Sequence, residues 1–150
     1  MRVREYRCEL WLPLPPKQIF PFFADAANLD AITPPWLHFH IVTPPPIVMQ
    51  AGTLIDYQLR VRGLPLRWRT LIREWQPPHR FVDEQLRGPY RQWQHTHTFE
   101  ARDGGTLARD VVHYAVPFDW IAHPLFVRRD IEQIFAFRQA ALRARFAVQP

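Results

Sequence analysis

The sequence predicts an α+β fold in which an antiparallel sheet of six to seven strands folds around one long C-terminal helix. Three observations predict it. Segments with period-two alternation fill the middle of the 150-residue chain, Pro and Gly fall between those segments rather than inside them, and residues 125–146 hold neither Pro nor Gly while their apolar residues recur at helical spacing.

Val3 to Leu12 alternates as a first strand. After Pro13 to Pro16, the residues Ile19, Phe20, Phe23, Ala27 and Leu29 share a helical face, broken near Asp25 into two short helices that Pro34 and Pro35 stop. His38 to Thr43 reads as a short strand closed by Pro44 to Pro46. In residues 53–62, Ile55, Tyr57, Leu59 and Val61 alternate with Asp56, Gln58, Arg60 and Arg62, and Gly63 to Pro65 turns the chain into 66–75, where Leu66, Trp68, Thr70 and Ile72 share a face. Strands follow at 80–86, 92–101 and 106–116, the last two joined at Asp103-Gly104-Gly105. Consecutive strands of this kind form a meander, and the helix predicted from about Leu125 to Phe146 covers the face the sheet cannot bury against itself.

One domain accounts for this length, and 47% hydrophobic and 14% aromatic residues supply a core or a cavity lining. No apolar run approaches the ~20 residues of a membrane span, the start of the chain lacks the pattern of a secretory signal, and the single Cys8 has no partner for a disulfide. A cytoplasmic protein without stable membrane insertion is expected. The formal charge of +5 comes from 19 basic residues scattered without a block, so no nucleic-acid partner is expected. With no serine, no Gly-rich phosphate loop and no His near Cys8 in sequence, serine-hydrolase and phosphate-loop chemistry are excluded, and Cys8 reads as a small buried hydrophobe.

The order of elements, with the stretches AGTLIDYQLRVRGLPLRWRT, FVDEQLRGPYRQWQHTHTF and IFAFRQAAL, resembles the START-like (SRPBCC) helix-grip superfamily of polyketide cyclases/dehydrases and lipid-transport proteins, within it a bacterial group of uncharacterised ligand-binding domains. The resemblance spans nearly the whole chain, residues 1–150, and implies a curved sheet gripping the last helix with a cavity between them. It implies no particular reaction, because carriers, sensors and enzymes share the fold.

Period two places Phe81, Asp83 and Gln85 on one face, as it does Trp93, His95, His97 and Phe99, and Asp110, Val112 and Tyr114. If these faces line the implied cavity, Tyr57, Trp68, Phe81, Trp93, Phe99 and Tyr114 form its wall, with Thr70, Asp83, Gln85, His95, His97 and Asp110 among its polar groups. The structural alternative is that the polar groups only satisfy one another. His95 and His97 also have metal-ligand spacing, and Asp83 or Asp110 could add a carboxylate, but no third ligand is fixed by the sequence, so no metal and no cofactor is assigned. Arg138 sits mid-stripe on the long helix and is expected to pair with Asp83 or Asp110, to lay its stem on the apolar face and reach water, or to grip an anionic ligand group.

The expected function is to hold a small hydrophobic or amphipathic molecule in a pocket lined by Trp68, Trp93 and Phe99, without catalysis. The alternative is a cyclase or dehydratase using His95, His97, Asp83 and Asp110, and a third is a protein-interaction module. The proline-broken segment Thr33 to Pro46, carrying Trp36 and Phe39, is expected to be a mobile lid.

Overall fold

The computed structural model describes residues 1–147. Seven antiparallel strands, β1 (Arg4–Leu12), β2 (His40–Ile41), β3 (Leu54–Val61), β4 (Leu64–Gln76), β5 (Arg80–Arg87), β6 (Gln92–Arg102) and β7 (Gly105–Ala115), stand in the order β1-β7-β6-β5-β4-β3-β2. The meander from β2 to β7 thus runs in sequence order and closes on β1 at its far edge. Tight turns with positive φ at Arg62-Gly63 and Asp103-Gly104 reverse the chain between β3 and β4 and between β6 and β7. Glycine at the second position adopts that φ without the clash a side chain would bring.

Helix α1 (Pro16–Ala24) and a 3-10 helix at Ala26–Ile32 meet at Asp25, whose carboxylate accepts from the Ala27 N–H and caps the second piece. That is the expected break. The strand expected over 38–43 shrinks to His40–Ile41, because His38 takes the left-handed conformation and Pro44 to Pro46 can donate nothing to a ladder.

The C-terminal helix is longer than its periodic stripe. Helical structure starts at α2 (Asp119–Ala122), passes through a π-helical turn at His123–Val127 and continues as α3 (Arg128–Arg145). Pro124 lies inside this run, where the wider π-turn accommodates its missing N–H, so reading proline as a helix boundary starts the helix too late. Along α3, Ile131, Phe135, Arg138 and Leu142 are buried, three or four residues apart, which is the stripe facing the sheet.

The core divides along that stripe. Leu10, Leu12, Ile19, Phe20, Phe22, Phe81, Phe99, Leu142 and Phe146 pack at one end, where α1 and the end of α3 descend onto the sheet. Val112, Tyr114, Val116, Ile131 and Phe135 pack beneath the start of α3. Between these clusters the helix and the strands β3 to β6 stand apart.

Candidate functional site

The gap holds two adjoining chambers. The larger, about 350 Å³, is walled by Tyr57, Leu59, Trp68, Tyr90, Trp93 and Phe135, with Leu37 and Phe39 from the proline-rich segment. The smaller, about 140 Å³, is lined by Thr70, Phe81, Asp83, His95 and His97 together with Phe23 and Ile55. Leu29, Ile32, Tyr57, Trp68, His95 and Arg138 border both. One end of the space is therefore aromatic and the other polar.

Cross-strand pairing builds the polar end. Asp83 on β5 lies opposite His95 on β6, His97 lies opposite Asp110 on β7, and Asp110 lies opposite Cys8 on β1. Directly opposed side chains on one face come within contact of each other, so the alternation of four neighbouring strands sets these groups in one row. His97 Nε2 contacts Asp83 Oδ2 at 2.6 Å and His95 Nε2 contacts Asp110 Oδ1 at 2.7 Å. The two imidazoles stack with centroids 3.6 Å apart, and Phe81 stacks on the outer face of His97 at 3.9 Å.

Arg138 enters from α3 above the row. Its Nη2 donates to His97 Nδ1 at 3.3 Å and lies 3.8 Å from Asp110 Oδ1, while its Nε is buried without a partner. Of the two aspartates considered for Arg138, the ion pair thus runs to Asp110, and the side chain is about nine-tenths buried. Its plane also lies 5.6 Å from the Phe23 ring centre, within cation–π range.

One proton arrangement suits these contacts. His95 and His97 donate from Nε2 to the carboxylates, His97 Nδ1 accepts from Arg138, and His95 Nδ1 is left bare, 3.8 Å from Asp83 Oδ2. Burial favours the neutral carboxyl of Asp110, but the Arg138 charge and the bond from His95 outweigh it and hold Asp110 well below the usual carboxylate range. Asp83 is likewise raised by burial yet held low by His95 and by the bond from His97. Burial, helped by neighbouring His97, keeps His95 below its ordinary value against the pull of both aspartates, so its neutral form is favoured.

Not every inward residue reaches the space. Phe99 was expected to line the pocket, but α1 lays Phe20 and Phe23 across it, with ring centres 5.3 and 5.0 Å away, and it belongs to the closed core. Gln85 bends along the strand end, donating to the Tyr90 carbonyl and accepting from the Tyr90 N–H, which ties down the β5–β6 loop. Tyr114 is buried beyond the aromatic end with its hydroxyl 2.7 Å from His123 Nε2. Asp110 sits behind the histidines rather than on the main wall, since it borders neither chamber. Cys8 is half-buried, and its thiol faces Asp110 Oδ2 at 3.9 Å instead of serving only as an apolar filler. The carboxylate beside it and, above all, burial push the thiol up to about 12.

Tyr90, Leu29, Ile32 and Ile134 border the cavity without having been anticipated. Tyr90 follows Gly88-Pro89 in a loop, where period two has no meaning, and the others depend on how helices lie over the sheet. The only signal for Tyr90 was an aromatic residue beside a turn.

The family model for polyketide cyclase/dehydrase and lipid transport matches residues 12–143. No curated protein sequence matches the chain. Among solved structures, the chain is similar to protein Ms6760 from Mycobacterium smegmatis, with 17% identity, a TM-score of 0.75 and 100% and 98% of the two chains covered. It is also similar to the Zhui aromatase/cyclase from Streptomyces sp. R1128, with 13% identity, a TM-score of 0.72 and coverage of 96% and 93%. A nucleoside-diphosphate sugar epimerase from Corynebacterium glutamicum shares 25% identity at a TM-score of 0.67, over 91% of this chain but 28% of that one. With a helix gripped by a seven-stranded antiparallel sheet and a family match over most of its length, the chain belongs to the polyketide cyclase/dehydrase and lipid transport family of the SRPBCC superfamily.

Proposed function

We propose that the chain acts as one ligand-binding domain that holds a small hydrophobic or amphipathic molecule between sheet and helix. The apolar body of that molecule lies against Tyr57, Trp68 and Trp93, and its polar end points to His95 and Arg138. The observation that carries this reading is the position of Arg138, whose side chain borders both the aromatic and the polar chamber. A guanidinium pairs strongly with an anionic or carbonyl oxygen through charge-assisted hydrogen bonds. A ligand oxygen would meet it there, and the aromatic chamber beside it would take the carbon skeleton. The family's link to lipid transport supports such a cargo. No helix among the described residues is long and apolar enough to cross a membrane, which is compatible with a carrier working in the cytoplasm.

Native mass spectrometry of the untagged protein tests this directly: a co-purified small molecule, or stoichiometric uptake of a fatty acid or a naphthalene fluorophore that Trp93→Ala weakens, is the expected result. Absence of both would end the carrier reading.

A second reading, a cyclase or dehydratase, is favoured by the His95–Asp110 contact of 2.7 Å with His95 bordering both chambers. A neutral imidazole whose bare Nδ1 faces a cavity is a general base at neutral pH. The likeness to an aromatase/cyclase supports it. Turnover of an aromatic polyketide surrogate that His95→Gln abolishes while ligand uptake persists would select this reading over carriage.

A further inference from the structure

We propose that His95 Nδ1, His97 Nε2 and Asp83 Oδ2 form a binding site for a divalent first-row transition-metal ion, with its open positions facing the cavity. The three donor atoms lie within 4.8 Å of one another, and the Asp83 oxygen is 2.6 Å from His97 Nε2 and 3.8 Å from His95 Nδ1. Metal–nitrogen and metal–oxygen bonds of about 2.0–2.2 Å need donor atoms roughly 3–3.5 Å apart around a tetrahedral ion. The 2.6 Å separation must open and the other two close, by up to about 1.5 Å where the two histidine nitrogens face each other, with no change in the backbone register that brings the donors together.

What distinguishes this trio from a chance cluster is the group behind it. Asp110 Oδ1 lies 2.7 Å from His95 Nε2 and 3.3 Å from His97 Nδ1, so it faces the two ring nitrogens that would not bind the ion. A metal-bound imidazole commonly donates its other N–H to such a carboxylate, which fixes the tautomer and aims the free lone pair at the metal. A single aspartate here is placed to do that for both rings. His95 already has the required tautomer. His97 needs its proton moved from Nε2 to Nδ1, after which Arg138 Nη2, now 3.3 Å from that nitrogen, turns its donor toward Asp110 Oδ1 at 3.8 Å. Two carboxylates against one guanidinium leave excess negative charge for a cation to neutralise. Two imidazoles and one carboxylate suit zinc, cobalt or ferrous iron, and not the all-oxygen preference of magnesium or calcium. The sequence offered the His-x-His pair with Asp83 or Asp110 as the carboxylate; the strand pairing sets Asp83 beside the pair and Asp110 against the opposite ring nitrogens.

The inference stands apart from ligand carriage, because it is tested with the metal alone. Untagged, chelator-treated full-length protein is titrated with Co²⁺ and followed by visible absorption, with Zn²⁺ as competitor. One equivalent with d–d bands that zinc abolishes is expected. Asp83→Asn and His97→Gln should each weaken binding at least tenfold, and Asp110→Asn should weaken it roughly 10–100-fold while leaving one equivalent. Should a variant fail to fold, the wild type still decides: paramagnetic Co²⁺ must shift or broaden NMR signals around Asp83, His95 and His97 before any others. No cobalt bands, or binding unchanged in a folded Asp83→Asn or His97→Gln, or paramagnetic effects centred elsewhere, overturns the site and leaves the cavity's use for an organic ligand untouched.

Discussion

The two ends of the sheet's inner face are made by the same strands with the same alternation, yet one is solid and the other hollow. At the solid end, Phe20 from α1 meets Phe81, Phe99 and Trp75 with ring centres 5.0 to 5.9 Å apart, and Phe146 closes on Phe22 at 5.6 Å. At the hollow end, Trp68, Tyr90 and Trp93 also contact one another, at 4.7 to 5.7 Å, but their other faces look into about 350 Å³ of space. The difference lies in what covers each end. Two helices press phenylalanines onto the first, whereas Leu29 and Ile32 of the 3-10 helix, the start of the C-terminal helical run and the segment around Leu37 and Phe39 only border the second. Aromatic content alone therefore does not distinguish a core from a binding wall; the overlying element does.

Mutations at the two ends should separate these roles. The largest effect is expected for Phe20→Ala or Phe99→Ala, each about 3–5 kcal/mol in urea unfolding, since both side chains are only 3% exposed and their loss leaves a cavity in packed surroundings. At the boundary between the ends, Arg138→Ala should cost about 3 kcal/mol by stranding Asp110, and adding Asp110→Asn should recover part of it. Absence of recovery would mean the guanidinium serves the cavity rather than the carboxylate. Trp93→Ala at the hollow end should cost only about 1–2 kcal/mol, because one face of the ring already lacks neighbours, while weakening uptake of an apolar ligand about tenfold. If Trp93→Ala and Phe99→Ala proved equally destabilising, the contrast between wall and core would fail.

Acid should expose the polar middle first. The folded-state value of His95 lies below its unfolded value, so the unfolded chain binds more protons below about pH 6.5 and stability falls as pH drops through that point. Asp83 and Asp110 are depressed carboxylates, so their contribution is complete above roughly pH 4 and is lost as pH falls further toward their folded-state values. Urea midpoints from pH 8 to pH 3 should show both declines. His95→Gln should shrink the upper decline to the share of His123, whose value burial also lowers, and keep the lower.

The smallest effect expected is local. Amides of Thr33 to Pro46 should exchange faster than those of Gln92 to Ala101, because β2 contributes just two ladder residues while β6 is paired on both sides. Equal protection would remove the idea that this segment yields to let a ligand in. The segment is not loose everywhere, since Leu37 is buried and Phe39 packs on Tyr57 at 5.0 Å.

Much of this architecture was legible because strand alternation and turn residues are local properties. The faces of β5, β6 and β7 followed from period two, and that sufficed to bring Asp83, His95, His97 and Asp110 into one row. Whether an inward residue meets space or another side chain is not local. Phe99 and Trp93 have the same parity on the same strand, yet α1 covers the first and nothing fills the space before the second. Gln85 shares a face with Asp83 but spends its amide on the nearby loop, a choice set by the length of its side chain and the unpaired Tyr90 backbone. Arg138 could be placed on the buried stripe, but its selection of Asp110 over Asp83 depends on where α3 lies across the strands.

The rims of the larger chamber also differ in how they are fastened. On the helical side, Arg4 holds Asp119 at 2.7 and 2.8 Å and Tyr114 meets His123 at 2.7 Å, pinning α2 and the π-turn to β1 and β7. The proline-rich side rests on aromatic contacts, Phe39 on Tyr57 and Trp36 against Phe137 at 5.9 Å, on the two-residue ladder of β2 with β3, and on bonds from the Val42 N–H to the Asp56 carbonyl and from the Asp56 N–H to the Thr43 hydroxyl. A molecule wider than the mouth would meet the lower resistance on that second side. Its residence time would then be governed by how often Phe39 and Trp36 release together, and its equilibrium affinity by the wall at Trp68 and Trp93. Under this arrangement, dissociation rate and affinity could be altered independently by substitutions on opposite sides of the same opening.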